Sequence, residues 1–463
     1  MKRIKMLFLS LSLISIPILC FAQQGEIIEM PMTLQMCLKS AMDNNHNIRK
    51  ARYDMAKSIQ AKKEVTGALL PQINGSANLN RNIQKTKFIM PNFLINFLPA
   101  SMLGDNVEKY MLIAMGTNYS AGVGATLNQQ VLNFPLFNAV DIAETVESMS
   151  ELAIVSNEED VISQTANLYY AIQATRYIIE LFNKSISLME SMLNTMEVNY
   201  SNGLVKKVDY DRLKVAYINM ITQKDAIKNG LEVQKNLLKL QMGIDMNKPI
   251  ELQKIDFDEF ESKINSNNNL FFELERQTSY KILNKQERMG QLQKKAAVYE
   301  SFPVLIAMAN YNYNGVSDEF FKGETNYWYP SSMVSLNLKI PIFSGLSRTS
   351  KVRQANYELL KIKENKEQLE QALNMSYLNA VSKLEDCRRS LSAQKENMML
   401  AEDVFRISES NYSNGIASMS DVLNANSSLI QSQINYAQSL NNLMKSYIEL
   451  RKANGTVLNL MEK

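Results

Sequence analysis

The side chains best suited to chemistry are few, and their spacing does not suit catalysis. The chain holds one histidine, His46, and three cysteines, Cys20, Cys37 and Cys387. Zinc sites draw on several Cys or His ligands at short intervals, and neither C-x-x-C nor H-E-x-x-H occurs. The phosphate-binding patterns G-x-x-x-x-G-K-[ST] and G-x-G-x-x-G are missing, as is the G-x-S-x-G of serine hydrolases. No nucleophile, base and orienting group come together, so we expect no enzyme, no cofactor and no metal. Of the 27 methionines, Met189, Met192 and Met196 share a helical face. A path for Cu(I) or Ag(I) is conceivable there, but flexible core packing is the stronger reading. One acidic arrangement recurs: Asp209 and Asp421 each follow a glycine, Gly203 and Gly415, by six residues.

The chain has 463 residues, 46% of them hydrophobic and 21% charged, enough to bury a sizeable core. Residues 1–22 read as a signal peptide: Lys2, Arg3 and Lys5, then an apolar run, then Cys20-Phe21-Ala22 as the cleavage site. Lipidation of Cys20 is disfavoured by the bulk of Leu19 before it. Removing the three basic residues leaves positive and negative side chains in balance, which argues against a nucleic-acid partner. Cys37 and Cys387 alone make no disulfide framework. Beyond the signal no run of ~18 uncharged apolar residues spans a bilayer as a helix.

Two halves follow one plan. Leu132-Asn-Phe-Pro-Leu-Phe137 matches Leu338-Lys-Ile-Pro-Ile-Phe343, and Asn199-Tyr-Ser-Asn-Gly203 recurs letter for letter as Asn411-Tyr-Ser-Asn-Gly415. The repeats are placed at about 33–242 and 272–455, joined by an equatorial linker over 243–271. Each reads as a helix, two strands and a long helical hairpin. Residues 137–202 contain neither proline nor glycine, and 344–414 contain only Gly345 at their start. Helices of this length reach ~100 Å, too long for a compact globule. The hairpin tips fall at about 203–207 and 415–419, where Asn-Gly ends each helix. The first copy carries extra residues near 83–116, expected as a loop. The apolar stretch 90–103 within it has no assigned role.

Strands are expected at about 72–82, 118–131, 303–313 and 328–340. In the first, Ile73, Gly75, Ala77 and Leu79 alternate with Gln, Asn or Ser, and in the second Ala121, Val123, Ala125 and Leu127 do likewise. Apolar and watery faces, with Tyr327, Trp328 and Tyr329 at the membrane interface, suit strands between lipid and a lumen. An ordinary soluble sheet with one buried face gives the same alternation on any single strand. Four strands cannot close a membrane barrel, so copies must combine, and three give 12 strands around a water-filled pore.

Several motifs resemble the TolC-type outer membrane efflux proteins. They are the run from Thr33 to Ile48, Gly67-Ala-Leu-Leu-Pro-Gln-Ile73, both Pro-Leu/Ile-Phe junctions, both Asn-Tyr-Ser-Asn-Gly tips, and Ile416-Ala-Ser-Met-Ser-Asp-Val-Leu423. The resemblance implies a mainly α fold with a membrane β part: a long α-helical coiled-coil barrel continuous with a trimeric 12-stranded outer membrane β-barrel, four strands per protomer. It also implies a homotrimer in the cell outer membrane with a long periplasmic extension. Its partners would be a periplasmic adaptor, an inner-membrane pump and outer membrane lipid, and its cargo small molecules. A polypeptide-export channel of the same architecture is the alternative, and a periplasmic coiled-coil adaptor a more distant one.

The resemblance further implies a gate at the periplasmic tips, drawing on Asp209, Asp421, Tyr412, Tyr200 and Asn424. In a trimer six carboxylates would surround one constriction, raising some of their pKa values and attracting cations. Both acids also suit helix N-termini. The sequence departs from the family at Asn424, where some members have a second aspartate, and at Ala417, where some have an arginine. Lys206 and Lys207 are candidate counter-charges. Adaptor docking is assigned to Gly203, Leu204 and Val205 and to Gly415, Ile416 and Ala417, although an apolar residue after a helix-ending glycine often packs back on its helix.

Overall fold

A computed structural model describes residues 31–93, 109–257, 272–320 and 326–461. The expected signal peptide, most of the apolar stretch 90–103 and part of the linker 243–271 lie outside the described residues. The chain opens with α1 (Leu34–Asn44), capped by Thr33, whose hydroxyl accepts the Met36 N–H at 3.2 Å. After α2 (His46–Gly67) come strands β1 (Gln72–Arg81), β2 (Thr86–Pro91), β3 (Tyr110–Met115) and β4 (Tyr119–Leu132). Helices α3 (Phe134–Ser201) and α4 (Lys207–Met242) form the first long hairpin. The second half runs α5 (Thr278–Tyr299), β5 (Val304–Ser317), β6 (Tyr327–Lys339), α6 (Ser347–Ser413) and α7 (Met419–Ala453). The order helix, strands, long helix, shorter helix therefore occurs twice.

One expectation fails here. Part of the presumed loop 83–116 is an antiparallel pair, with Phe88 opposite Ile113 and Ile89 opposite Leu112. Both faces of this pair are mostly apolar, with Thr86 on one and Lys87 on the other, so no period of two was there to be read. Strand β5 also runs on to Ser317, because Asn312 and Asn314 keep alternating with Tyr311, Tyr313 and Gly315.

The main sheet has the order β1-β4-β5-β6, every neighbouring pair antiparallel. Its register sorts side chains by chemistry. Residues opposite one another share a face, so Ile73, Leu127, Ala309 and Val334 form one apolar row and Ala77, Val123, Tyr313 and Pro330 another. On the other face Asn74, Thr126, Asn310 and Met333 align, as do Ser76, Gly124, Asn312 and Ser331.

Chemistry switches from strand to helix within two residues. The Asn133 side chain accepts the Leu136 N–H at 3.1 Å, and Pro135 in the first turn of α3 needs no donor there. Phe134 meets Phe302 at 5.2 Å and Tyr299 at 5.6 Å between ring centroids, which pins the start of α3 to the end of α5. The α3 and α6 helices, of 68 and 67 residues, each extend ~100 Å at 1.5 Å per residue.

The largest core cluster lies at mid-height, where α1 packs on α3 and α4. It holds Leu38, Ile48, Ile162, Tyr170, Leu238 and Ile448 among others. A parallel bridge from Met32 to Leu252 ties the segment just before α1 to the segment after α4. Gly243 ends α4 in the left-handed region at φ 65°, and a Cβ there would lie 2.7 Å from the Asn44 carbonyl carbon. Leu38 is 0% exposed at the centre of this belt. Leu38→Ala is expected to destabilise the protein by about 2–5 kcal/mol, checked as a lowered urea midpoint followed by circular dichroism.

Candidate functional site

The two tips share one backbone turn. Gly203 and Gly415 both have φ 74°. The Gly203 N–H donates to the Tyr200 carbonyl at 2.9 Å and the Leu204 N–H to that of Asn199 at 2.8 Å. Gly415 and Ile416 repeat this with Tyr412 and Asn411 at the same two distances. Such a turn often lets the residue after glycine fold back on its helix. Here Leu204 is 73% and Ile416 77% exposed, so both project outward. Between the tips lies a groove of ≈ 590 Å³ lined by Met192, Met196, Leu204, Val205, Tyr412 and Ala417, with Gly415 at its edge. Most of the expected docking residues thus meet in one place. Lys206 and Lys207 are exposed beside it.

The two aspartates do not occupy equivalent settings. Asp421 closes a capping box: its carboxylate accepts the Ser418 hydroxyl at 2.7 Å and the Ser418 N–H at 2.9 Å, and its own N–H donates to Ser418 Oγ. The Ser418 hydroxyl first, and that backbone donor next, hold the Asp421 carboxyl below its ordinary range. Within one protomer this is opposite in direction to the rise expected from crowding. Asp209 lies in the first turn of α4, where Lys206 gives no side-chain cap, and faces Arg212 at 4.0 Å.

The tyrosines differ as well. Tyr412 donates its hydroxyl to Met196 Sδ at 2.9 Å, tying the second hairpin to the first. Burial first, and the negative charge of Asp209 second, push the Tyr412 phenol up. Tyr200 instead stacks on Tyr210 at 5.8 Å and 9°, with Lys214 Nζ 5.7 Å from the Tyr210 ring. Asn424 is exposed, and its carbonyl accepts the Ser428 hydroxyl at 3.0 Å. Beneath the tips Phe182, Met189, Met196, Leu213, Phe405 and Val422 form a continuous core.

Sequence reasoning missed Ser418, Met196 and Tyr210 as parts of this site. The S-x-x-D spacing of Ser418 and Asp421 was legible, whereas the Met196 contact arises only when two hairpins pack. The expected interface aromatics divide between the two faces of the sheet. Trp328 lies on the apolar face, stacked on Tyr313 at 5.5 Å and opposite Gly315. Tyr327 and Tyr329 alternate onto the other face, opposite Val316 and Asn314, because adjacent strand residues point oppositely. Tyr311 and Tyr313 join Trp328 on the apolar face.

Among the described residues no group of three or more His, Cys, Asp or Glu is placed to hold a metal. Burial pushes the Cys37 thiol up to about 12, which keeps this thiol protonated near neutral pH. No helix among the described residues is long and apolar enough to cross a membrane.

The fold is that of the outer membrane channels. The outer membrane protein VceC of Vibrio cholerae aligns with a TM-score of 0.68 at 13% identity, over 91% of this chain and 96% of that one. The open-state MtrE outer membrane channel of Neisseria gonorrhoeae aligns with a TM-score of 0.68 at 16% identity, over 92% and 89%. In sequence, the outer membrane protein TolC of Escherichia coli is 21% identical over 357 residues, 74% of this chain and 71% of the relative. The family model described as outer membrane efflux protein matches residues 286–456. The resemblance to the TolC-type outer membrane efflux proteins stands on these findings, and the family is one of transport channels.

The capping box sets a pH-dependent prediction. A carboxyl held below its ordinary pKa adds stability above that value and loses it as pH falls through the lowered one. Ser418→Ala is expected to lower the thermal midpoint at neutral pH, and the difference from wild type should shrink once the pH falls well below 3.8 to the part owed to the Asp421 N–H bond to Ser418 Oγ, which does not titrate. A difference that persists in full there would place the effect outside the Asp421 carboxylate.

Proposed function

We propose that the protein is a trimeric outer membrane channel-tunnel, the exit duct through which an inner-membrane pump and a periplasmic adaptor expel small molecules such as drugs and toxic compounds. The observation that carries this reading is the four-stranded sheet, apolar on one face and amide-lined on the other, continued by ~100 Å helices. Strands β1 and β6 each have one neighbour in the sheet. An open edge is not viable in lipid, so β6 of one copy pairs with β1 of the next until 12 strands close. The amide face then lines water, and the helical hairpins extend the lumen into the periplasm.

Conduction through such a duct is passive, and control lies at the tips. The Tyr412 to Met196 contact holds the two hairpins of a protomer together, and the Asp209 carboxylates supply a ring of negative charge. Adaptor docking uses the outward Leu204 and Ile416 and the groove between them. Photo-crosslinking in cells from Leu204 and Ile416 is expected to capture an adaptor. A correctly inserted trimer that captures nothing would speak for a stand-alone channel, and a monomer in both detergent and membranes would end the barrel reading. For the gate, Asp209→Ala with Asp421→Ala is expected to lower cation conductance and relieve divalent block in planar bilayers. Unchanged traces would remove the carboxylates from the gate.

A further inference from the structure

Strand β4 carries two glycines, Gly122 and Gly124, on the amide face of the sheet, and each lies opposite an asparagine of β5 and a polar residue of β1. Gly122 is flanked by Asn78 and Asn314, and Gly124 by Ser76 and Asn312. These asparagines occupy the space a side chain on β4 would fill. A Cβ on Gly122 would lie 2.7 Å from Asn78 Oδ1 and 3.3 Å from Asn314 Oδ1. One on Gly124 would collide with Asn312 Oδ1 and approach its Cγ to 2.8 Å. The carboxamides are also held along the sheet. Asn314 Nδ2 donates to Ser331 Oγ at 3.0 Å, and Asn312 Nδ2 to Asn310 Oδ1 at 3.5 Å. Glycine inside a strand weakens it and commonly marks a close approach by another group. Here the approaching groups are the lining side chains themselves.

We propose that Gly122 and Gly124 set the bore of the β channel, as a trough into which the Asn78, Asn312 and Asn314 carboxamides lie flat along the wall. This rests on the reading above that the amide face lines water. Two consequences follow from the geometry. A side chain at either glycine lifts the neighbouring carboxamides toward the axis, and a trimer multiplies that narrowing threefold in one ring. The rows also carry no side chain charged at neutral pH, being Asn78, Gly122, Asn314 and Tyr329 in one and Ser76, Gly124, Asn312 and Ser331 in the other. At this level the duct selects cargo by width and by tolerance of a hydrogen-bonding wall, and not by charge.

Gly122 is the cleaner probe, since a Cβ on Gly124 also comes within 2.9 Å of the Tyr311 carbonyl oxygen. The full-length protein is inserted into planar bilayers, and neutral polymers of graded mass are added only at the barrel mouth. Polymer entry then reports the β channel separately from the tips. Gly122→Ala is expected to shift the exclusion cut-off to lower polymer mass, and Gly122→Ala with Asn78→Ala to return it toward wild type. A Gly122→Ala cut-off equal to wild type, or a double variant as narrow as the single, overturns the proposal. Asn78→Ala alone keeps both glycines, bares the floor of the trough and is expected to raise the cut-off. An unchanged cut-off there also counts against the proposal. If the wild type itself forms no channel, the barrel reading fails first and takes this one with it.

Discussion

Each backbone N–H and C=O along a strand demands a partner, and a sheet of four strands leaves two rows of them unanswered. That demand organises the molecule. The sheet order β1-β4-β5-β6 places the first and last strands of the chain at the two edges, so both unanswered rows belong to strands continuous with helices. In the proposed trimer, pairing of β6 with β1 of the next copy also brings α2 and α6 of different copies together. Closure of the sheet and assembly of the helical wall are one event in the proposed trimer.

The mid-height belt gives the long helices a fixed point. A 68-residue helix has no core of its own, and most helical stability comes from packing. Along α3 the fully buried side chains concentrate around Ile162, Ala166 and Ile172, where α1 and the segment after α4 wrap around it. An ion pair and a hydrogen bond brace the same level: Lys452 on α7 meets Asp160 on α3 at 2.6 Å, and the Thr278 hydroxyl donates to Glu159 at 2.6 Å. Being partly exposed, the first of these adds register more than energy. The tips below are held by a cluster separate from the belt.

Much of this was legible in the residues, and what was not has physical reasons. The Asn-Gly tips could be read because only a left-handed residue ends a helix in that way, and both glycines have φ 74°. The alternation in β1 and β4 could be read because opposite faces differ in chemistry. The β2–β3 pair escaped because its two faces do not differ. The inequivalence of Asp209 and Asp421 escaped for another reason. Equal spacing from the glycine suggested equal surroundings, but one helix opens with Ser418 and the other with Lys206. A difference of one N-cap residue outweighs a shared position in the repeat.

The pairing of β4 with β5 slips by one residue between Gln130 and Leu132. Without that slip Leu132 would point to the amide face. With it, Leu132 stands opposite Leu305, which is itself opposite Leu338, and the three continue the apolar face one row further toward the helices. A membrane protein fits a bilayer whose hydrocarbon thickness matches its own apolar belt, and mismatch has an energetic cost per ångström. In the proposed barrel the apolar belt is lengthened by a backbone irregularity at Val131, so the membrane thickness such a barrel would suit is written partly in a bulge and not in strand length alone.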